Sequence, residues 1–300
     1  ADTAFDWSPA HKLQRAAFRA FVDSAIAPHA AGYEASERLP VLELAARFGA
    51  HGWLAGERLD PLAFALLHQA VGAASGSVRS LLTVQSMVAT AIARCGTPSQ
   101  RERWLGPLHA GTAIAGFALT EPDAGSDTSA LACSATPTDQ GFMVAGRKSW
   151  VSFAQCANVL LVIARIDTQT AAFLVDAETP GITVEPICGL SGLRAVMGGS
   201  VAFEQCRVPA DARLSGTGLG FSLVAQTALD VGRFSVACGA VGAAAACLEV
   251  ALQHARTRRQ FGKPLIDHPG LRPRLARMLV ATRSAALFCA RAAAARAAKD

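Results

Sequence analysis

The sequence lacks the local signatures of several common enzyme classes. It has no Walker phosphate-binding loop, no GxSxG nucleophile turn and no HExxH zinc motif. Residues 216–220 are rich in glycine, but they lack the GxGxxG spacing and no βαβ pattern surrounds them. We interpret this stretch as a flexible link rather than a nucleotide-binding loop.

Charged residues are sparse as well, at 17% of the 300 positions, whereas 51% are hydrophobic. The chain can therefore build a sizeable core, and its composition does not suggest disorder. Eight cysteines occur without a CxxC pair or a Cys/His cluster. This spacing argues against a zinc site and a disulfide scaffold, and it is typical of a reducing compartment. We expect a cytoplasmic protein that holds no metal.

Long apolar runs and targeting signals are also missing. Residues 159–164 and 237–248 are too short or too rich in small side chains to span a bilayer. Asp2, Asp6 and Lys12 interrupt any apolar signal region. The net charge of +5 fits either an arginine-rich solvated surface or attraction for an anionic partner such as a nucleotide, CoA or an acidic carrier protein. We expect neither a membrane nor nucleic acid as a partner.

Hydrophobic spacing divides the chain into three parts. Helical periodicity runs through residues 12–27, 41–51, 61–74 and 80–94, and Pro98 can open another helix. Short β-rich runs follow at residues 114–119, 141–152, 159–166, 172–175, 182–187 and 201–208. Helical patterns return from residue 221 to 256 and from 268 to 300.

This order of helices, strands and helices predicts an α+β fold rather than an alternating βαβ one. We predict an N-terminal helical domain at residues 1–111 and a central antiparallel β-barrel, or a sandwich, at residues 112–216. A C-terminal helical bundle, incomplete in this sequence, is predicted at residues 217–300.

Residues 116–127, with the sequence GFALTEPDAGSD, form the most informative motif. A strand that ends in such a turn offers hydroxyls, carboxylates and backbone N–H groups together, which suits the polar edge of a flat ring or a phosphate. By composition alone, an ordinary acidic surface turn is the favoured explanation of this segment.

Together with KSWVS at residues 148–152 and RRQFGKPL at residues 258–265, this motif resembles the acyl-CoA dehydrogenase family. The three blocks occur in the family's order and at about its spacing, and the resemblance covers the whole chain. Residues 75–88 are more similar to the branch that works in polyketide and nonribosomal peptide pathways, such as the dehydrogenase of methoxymalonyl extender-unit synthesis.

The resemblance implies FAD as the cofactor, lodged between the barrel and the C-terminal helices. Phe117, Leu119 and Thr120 would line the flavin, and Ser126 would reach the flavin phosphate or the thioester tail of the substrate. The opposite edge of the ring would be covered by Trp150, Val151 and Ser152. For Trp150, a place in the barrel core is the alternative.

The resemblance also implies that Arg258, Gln260 and Phe261 reach the ADP half of FAD, often on a neighbouring subunit, with Leu265 and His268 nearby. For His268 the alternative is packing at a helix end, because Pro269 and Pro273 stand where the family continues a helix.

Asp230 and Arg233 match a family segment beside the substrate. Asp230 either caps a helix or touches the nucleotide end of CoA. Arg233 is expected to act on the substrate or to organise the site from a buried position.

The family's catalytic base is a glutamate that no residue of this sequence supplies. In most members it lies in a C-terminal helix, whereas this sequence stops at Lys299-Asp300. A minority of members carry it near the position of Gly232, and Glu249 is interpreted as a surface or packing residue. We favour a sequence that is part of a longer enzyme over a partner subunit that supplies the missing part or a relative that binds without reacting.

The leading hypothesis is FAD-dependent α,β-dehydrogenation of an acyl thioester on CoA or on an acyl carrier protein. The alternatives are a noncatalytic partner subunit and a flavin monooxygenase on the same fold. The electron acceptor would be a flavoprotein or oxygen, and we expect a homodimer or homotetramer.

Overall fold

The computed structural model describes residues 8–298. The chain folds as two compact units. Within the described residues, unit 1 comprises residues 8–31, 60–79 and 234–298, and unit 2 comprises Gly32–Leu59 and Ser80–Arg233. These units group residues that pack together, and each joins stretches that are separate in sequence. They therefore do not test the three consecutive domains predicted above, which stay a prediction.

Six helices come first in the chain: α1 (Pro9–Ala25), α2 (Ala30–Ser36), α3 (Val41–Ala50), α4 (Pro61–Ala74), α5 (Gly76–Cys95) and α6 (Pro98–Ala110). Helices α1, α4 and α6 have proline in their first turn and a side-chain cap before it. The caps are Ser8, Asp60 and Thr97, each of which accepts a hydrogen bond from a backbone N–H of the first turn. Proline suits this position because its missing N–H would have no helical partner there. The sequence therefore defines these helix starts well.

Seven strands follow: β1 (Ala115–Ala118), β2 (Ser134–Thr138), β3 (Gly141–Val151), β4 (Val159–Ile166), β5 (Gln169–Asp176), β6 (Ile182–Pro186) and β7 (Gly199–Pro209). They form one sheet in the order β1-β4-β2-β3-β7-β6, with β5 paired to β4. The pairs β4–β5, β2–β3, β3–β7 and β6–β7 are antiparallel, whereas β1 and β2 pair with β4 in parallel. The predicted α+β class is confirmed, and the parallel pairs are an addition to it.

The core of the sheet is apolar and centres on β4, whose residues are almost all buried. Phe173 and Phe142 meet there with ring centroids 5.1 Å apart. Val144, Val162 and Phe203 belong to the same buried cluster. Since β4 is covered on both faces, it is a continuous hydrophobic run rather than an alternating one.

The remaining elements are α7 (Gln226–Thr257), preceded by a π-helical segment at Gly220–Ala225, the short strands β8 (Arg259–Gln260) and β9 (Lys263–Pro264), and α8 (Arg272–Ala297). In unit 1, α7 packs against α4 through glycines. A Cβ atom on Gly242 would lie 2.0 Å from the carbonyl oxygen of Gln69, and one on Gly72 would lie 2.5 Å from that of Gly239. These two helices approach backbone to backbone.

Two helical segments, Gly220–Thr257 and Arg272–Ala297, are long and apolar enough to cross a membrane by length and composition alone. Core helices of soluble proteins meet the same criterion, so this is weak ground for a membrane span. Residues 237–248 lie inside the first of these two segments.

Candidate functional site

The end of β1 carries three of the predicted flavin-lining residues in unit 2. Leu119 is buried, and Phe117 and Thr120 are half-buried. The start of the strand is fixed by Gln85, whose side chain accepts a hydrogen bond from the Ala115 N–H at 2.7 Å. The strand end is therefore an ordered edge that is still partly open to solvent.

The turn after β1 presents an exposed hydroxyl. Ser126 is exposed, and its side chain makes no hydrogen bond within residues 8–298. Nearby, Asp127 Oδ1 accepts hydrogen bonds from the Ser129 hydroxyl at 2.6 Å and from its N–H at 3.0 Å. These two bonds lower the pKa of Asp127. The turn thus combines internal order with a hydroxyl that is available to a ligand oxygen.

Trp150 lies at an irregularity of β3. The register between β3 and β7 shifts between Lys148 and Val151, and Trp150 has a φ of 60°. Trp150 is 63% exposed, whereas Val151 is buried and Ser152 half-buried. The alternative of a place in the barrel core is wrong for Trp150, because the bulge turns the side chain out of the sheet.

The segment before Trp150 is joined directly to the end of β1. The Ser149 N–H donates to the Thr120 carbonyl at 2.8 Å. Lys148 Nζ donates to the Leu119 carbonyl at 3.0 Å and to Glu121 Oε1 at 2.7 Å. The structure therefore brings the strand end and the Trp150 segment together in one part of unit 2.

Sequence reasoning assigned no role to Glu121 or Lys148. The available signal was the alternation along β3, where Phe142 and Val144 are buried and position 148 falls on the same face. A lysine on the inner face of a strand requires a buried partner, and Glu121 provides it.

The structure corrects two expectations about α7. Asp230 lies inside this helix, which begins at Gln226 and follows the π-helical segment, so Asp230 is not its cap. Arg233 is exposed, and the expectation of a buried organiser is wrong. Roles of Asp230 and Arg233 in substrate binding stay predictions.

Neither position considered for the catalytic base supplies one. Gly232 is buried, and a Cβ atom there would lie 2.7 Å from Met87 Sδ. Any larger side chain at this position would force Met87 to move. Glu249 is exposed on α7, as expected of a surface residue.

A two-stranded hairpin in unit 1 gathers the other predicted cofactor residues. Gln260 pairs with Lys263, and Phe261 and Gly262 form the turn, with φ values of 50° and 75°. Phe261 is 94% exposed, and Arg258, just before the hairpin, is also exposed. The hairpin thus presents an aromatic ring and a guanidinium to solvent.

The residues after the hairpin fold back onto it. The Leu265 N–H donates to the Arg258 carbonyl at 2.9 Å. His268 Nε2 lies 3.2 Å from the Gln260 carbonyl oxygen, and its ring meets that of Phe261 edge-on at 6.2 Å. The His268 ring therefore contacts the hairpin, and the His268 carbonyl accepts a hydrogen bond from the N–H of Leu271, just before α8, at 3.0 Å. A cofactor shared by Arg258, Thr120 and Trp150 stays a prediction.

Within residues 8–298, no cluster of three or more His, Cys, Asp or Glu side chains could hold a metal ion. Burial raises the pKa of the Cys133 thiol, next to this site, to about 11, and the charges of Lys148 and Glu121 act on it in opposite directions. This cysteine is therefore a thiol at neutral pH and not a nucleophile.

Three family models match the chain. They are the N-terminal domain of acyl-CoA dehydrogenase at residues 8–112, the middle domain at residues 116–206 and the C-terminal domain at residues 218–300. The mitochondrial short-chain specific acyl-CoA dehydrogenase of Bos taurus is 33% identical over 297 residues, which cover 94% of this chain and 72% of the bovine protein.

Two solved structures extend these similarities. A glutaryl-CoA dehydrogenase from Mycobacterium smegmatis in complex with FADH2 superimposes with a TM-score of 0.94 at 30% identity, covering 99% of this chain and 78% of that one. FkbI, for biosynthesis of the methoxymalonyl extender unit of the Fk520 polyketide, gives a TM-score of 0.83 at 34% identity, covering 93% and 80% of the two chains.

The residues of this chain fit FAD. In unit 2, the exposed indole of Trp150 is a flat apolar surface on which an aromatic ring can pack, and the preceding residue, Ser149, is hydrogen-bonded to the carbonyl of the half-buried Thr120. In unit 1, the exposed guanidinium of Arg258 has the planar set of donors that suits a pyrophosphate.

Proposed function

Since this chain belongs to the acyl-CoA dehydrogenase family, we propose that it oxidises an acyl thioester of secondary metabolism that is held on an acyl carrier protein. At the level of the family, it is an FAD-dependent oxidoreductase that acts on CH–CH bonds of acyl thioesters. The main structural support for a flavin site is Trp150, which is exposed to solvent on a β-bulge beside the end of β1.

The residues proposed to hold the flavin ring in unit 2 are Phe117, Leu119, Thr120, Trp150, Val151 and Ser152. Trp150 would pack on the ring and exclude water from it, and Thr120 would offer its hydroxyl to the ring's polar edge. The exposed, unbonded hydroxyl of Ser126 would donate to a flavin phosphate oxygen or to the thioester tail.

The hairpin of unit 1 is proposed to bind the ADP part of FAD. Arg258 would donate to the phosphates, and Phe261 would offer a ring for stacking. Gln260, Leu265 and His268 hold the hairpin in shape through the contacts described above. Asp230 and Arg233, on α7, are proposed to face the substrate.

When bound, FAD supplies the acceptor for a hydride that leaves the β carbon of the acyl group. The rest of the chemistry is proton transfer from the weakly acidic α carbon. It needs a hydrogen-bond donor at the thioester oxygen, where negative charge develops, and a carboxylate near the α carbon. Glycine at position 232 cannot act as that base, and Glu249 is turned to solvent.

Two observations support this proposal. FkbI, at 34% identity, is named for polyketide extender-unit synthesis, which supports a substrate of secondary metabolism. The net charge of +5 favours an acidic partner protein, although CoA is an anion too. We propose in addition that a second flavoprotein accepts the electrons, as is typical of the family, and that the protein is a cytoplasmic homodimer or homotetramer.

The test is anaerobic reduction of the purified protein. We expect a yellow protein whose flavin absorbance is bleached by acyl groups on a carrier protein, and more slowly by the same acyl groups on CoA. Faster bleaching by acyl-CoA would overturn the carrier-protein part. A colourless protein would favour a noncatalytic partner subunit, and oxygen consumption with a non-thioester substrate would favour a monooxygenase.

A further inference from the structure

Glu121 and Lys148 form an ion pair that is almost completely removed from solvent. Lys148 Nζ lies 2.7 Å from Glu121 Oε1, and the two side chains are 0% and 5% exposed. Burial of two charges is strongly unfavourable unless further hydrogen bonds satisfy both groups, and apolar residues often replace such pairs without loss of stability. The pair therefore calls for an explanation beyond stability.

The other partners of the two side chains are all backbone groups. The Glu121 carboxylate accepts hydrogen bonds from the Ala132 N–H at 2.6 Å and from the Cys133 N–H at 3.0 Å. The Lys148 ammonium donates to the Leu119 carbonyl at 3.0 Å. One ion pair thus fixes three separate stretches of main chain.

These stretches carry the residues proposed to bind the flavin. The loop that contains Ser126 begins at Glu121 and returns to its carboxylate, so that a single side chain holds both ends of the loop. Lys148 fixes the backbone at Leu119, and its own backbone continues into the bulge at Trp150.

We propose that Glu121 and Lys148 are positioning residues for the cofactor. They set the relative positions of the β1 end, the Ser126 loop and the Trp150 bulge, and they touch neither substrate nor reacting atoms. This inference rests on the proposed flavin site.

The experiment compares the full-length protein with Lys148→Met, Glu121→Gln and the double variant. Arg147→Met is the matched control, because Arg147 is the neighbouring residue on β3 and pairs with Glu185 at the surface. For each protein we would measure unfolding by denaturant, the FAD dissociation constant of the apoprotein, the visible circular dichroism of the bound flavin and its midpoint potential.

We expect each single variant to be less stable, because one buried charge is left without its partner. The double variant should recover most of that stability, since no unpaired charge remains. Its FAD affinity should nevertheless stay about 10-fold or more below that of the unmodified protein, a loss of the size seen when the groups that orient metal ligands are removed. Its flavin circular dichroism should also differ, whereas Arg147→Met should match the unmodified protein in all four measurements.

Recovery of both stability and FAD affinity in the double variant would show that the pair is only structural and would overturn the inference. If Lys148→Met does not fold, Glu121→Gln and the double variant decide the same question. If the unmodified protein binds no FAD, the proposed flavin site itself fails. If it binds FAD and all variants bind equally well, only the positioning role fails.

Discussion

The Nδ1 atom of His68 lies 3.0 Å from the Oγ atom of Ser235, and both side chains are buried in unit 1. Burial, together with the positive charge of Arg79, lowers the pKa of His68 to about 3. The Phe64 ring packs beside the imidazole at 4.2 Å. His68 is therefore neutral in the folded protein at any pH near neutrality.

This burial makes stability depend on pH. An unfolded histidine has a pKa of about 6.5, so the unfolded chain takes up a proton at His68 as the pH falls below that value and the folded protein does not. The contribution of neutral, buried His68 to the free energy of unfolding is therefore complete above about pH 6.5. As the pH falls from there towards about 3, the free energy of unfolding decreases by up to about 1.4 kcal/mol per pH unit.

We expect His68→Gln, which keeps a polar side chain near Ser235, to show a shallower fall in the free energy of unfolding between pH 7 and pH 5. Denaturant titrations at the two pH values measure the difference. Equal slopes in both proteins would show that His68 is not the group responsible.

Gly242→Ala should destabilise unit 1, because the added methyl would lie 2.0 Å from the Gln69 carbonyl oxygen and α4 and α7 would have to separate. Overpacking of this kind costs about 1–3 kcal/mol. Gly32→Ala is the matched control, since nothing lies within 4 Å of its Cβ position in α2. It should gain up to about 1 kcal/mol from helix propensity. Similar unfolding free energies for the two variants would contradict the close helix contact.

Asp60 should stabilise the folded protein as the N-cap of α4. It accepts hydrogen bonds from the N–H groups of Leu62 and Ala63, at 3.0 and 3.1 Å, and its Oδ1 lies 3.0 Å from His11 Nε2. Asp60→Ala should cost about 1 kcal/mol, and Asp60→Asn, which can still cap, should cost less. Thermal or denaturant unfolding of both variants is the measurement.

The charge of Asp60 adds a pH dependence of its own. Desolvation raises the pKa of Asp60, but the hydrogen bonds from Ala63, His11 and Leu62 together outweigh it and lower the pKa. The folded pKa thus lies below the unfolded one. The stabilisation is present above the unfolded pKa of about 3.9 and is lost as the pH falls through the folded pKa. In Asp60→Asn, the free energy of unfolding should fall less as the pH is lowered below about 4. The same fall in both proteins would contradict this role of Asp60.

Trp150→Gly should separate cofactor binding from stability. Glycine tolerates the φ of 60°, and Trp150 is 63% exposed, so the unfolding free energy should stay the same or rise by about 1 kcal/mol. FAD binding should weaken by about 1 kcal/mol or more, comparable to the stacking of a base on an aromatic side chain. Trp150→Phe, which keeps a ring, should lose less affinity. Unchanged FAD affinity in the glycine variant would remove Trp150 from the site.

Arg258→Ala should weaken FAD retention during gel filtration at raised salt. Arg274→Ala, on α8, removes the same charge from another exposed position and serves as the control. Equal FAD occupancy in the two variants would mean that Arg258 contributes only to the overall charge.

Local signals explain the elements that the sequence predicted well. Helix α4 begins and ends where predicted, because Asp60 caps it and Pro61 opens it. Strand β4 also has the predicted bounds, since its unbroken run of large aliphatic side chains is typical of a strand buried on both faces. Strand β2 was missed because it contains Pro137 and is mostly polar, and α2 was missed because it is only seven residues long.

Longer-range features could not be predicted from local patterns. The parallel pairing of β1 with β4 joins Ala115 to Val159, far apart in the chain. The exposure of Trp150 depends on a register shift between two strands, and the partner of Lys148 depends on where the β1 turn lies. In all three cases, sequence patterns identify the residues involved but not the residues that lie next to them in the folded protein.

The turn of the hairpin in unit 1 has two consecutive residues at positive φ, Phe261 and Gly262. Two-residue turns of this kind favour asparagine or aspartate followed by glycine. Phenylalanine at the first position therefore makes the turn less stable than asparagine would, and it exposes an aromatic ring to solvent. Directed evolution that selects for heat resistance alone should therefore enrich Phe261→Asn. We expect the enriched variants to contain less FAD after purification than the unmodified protein.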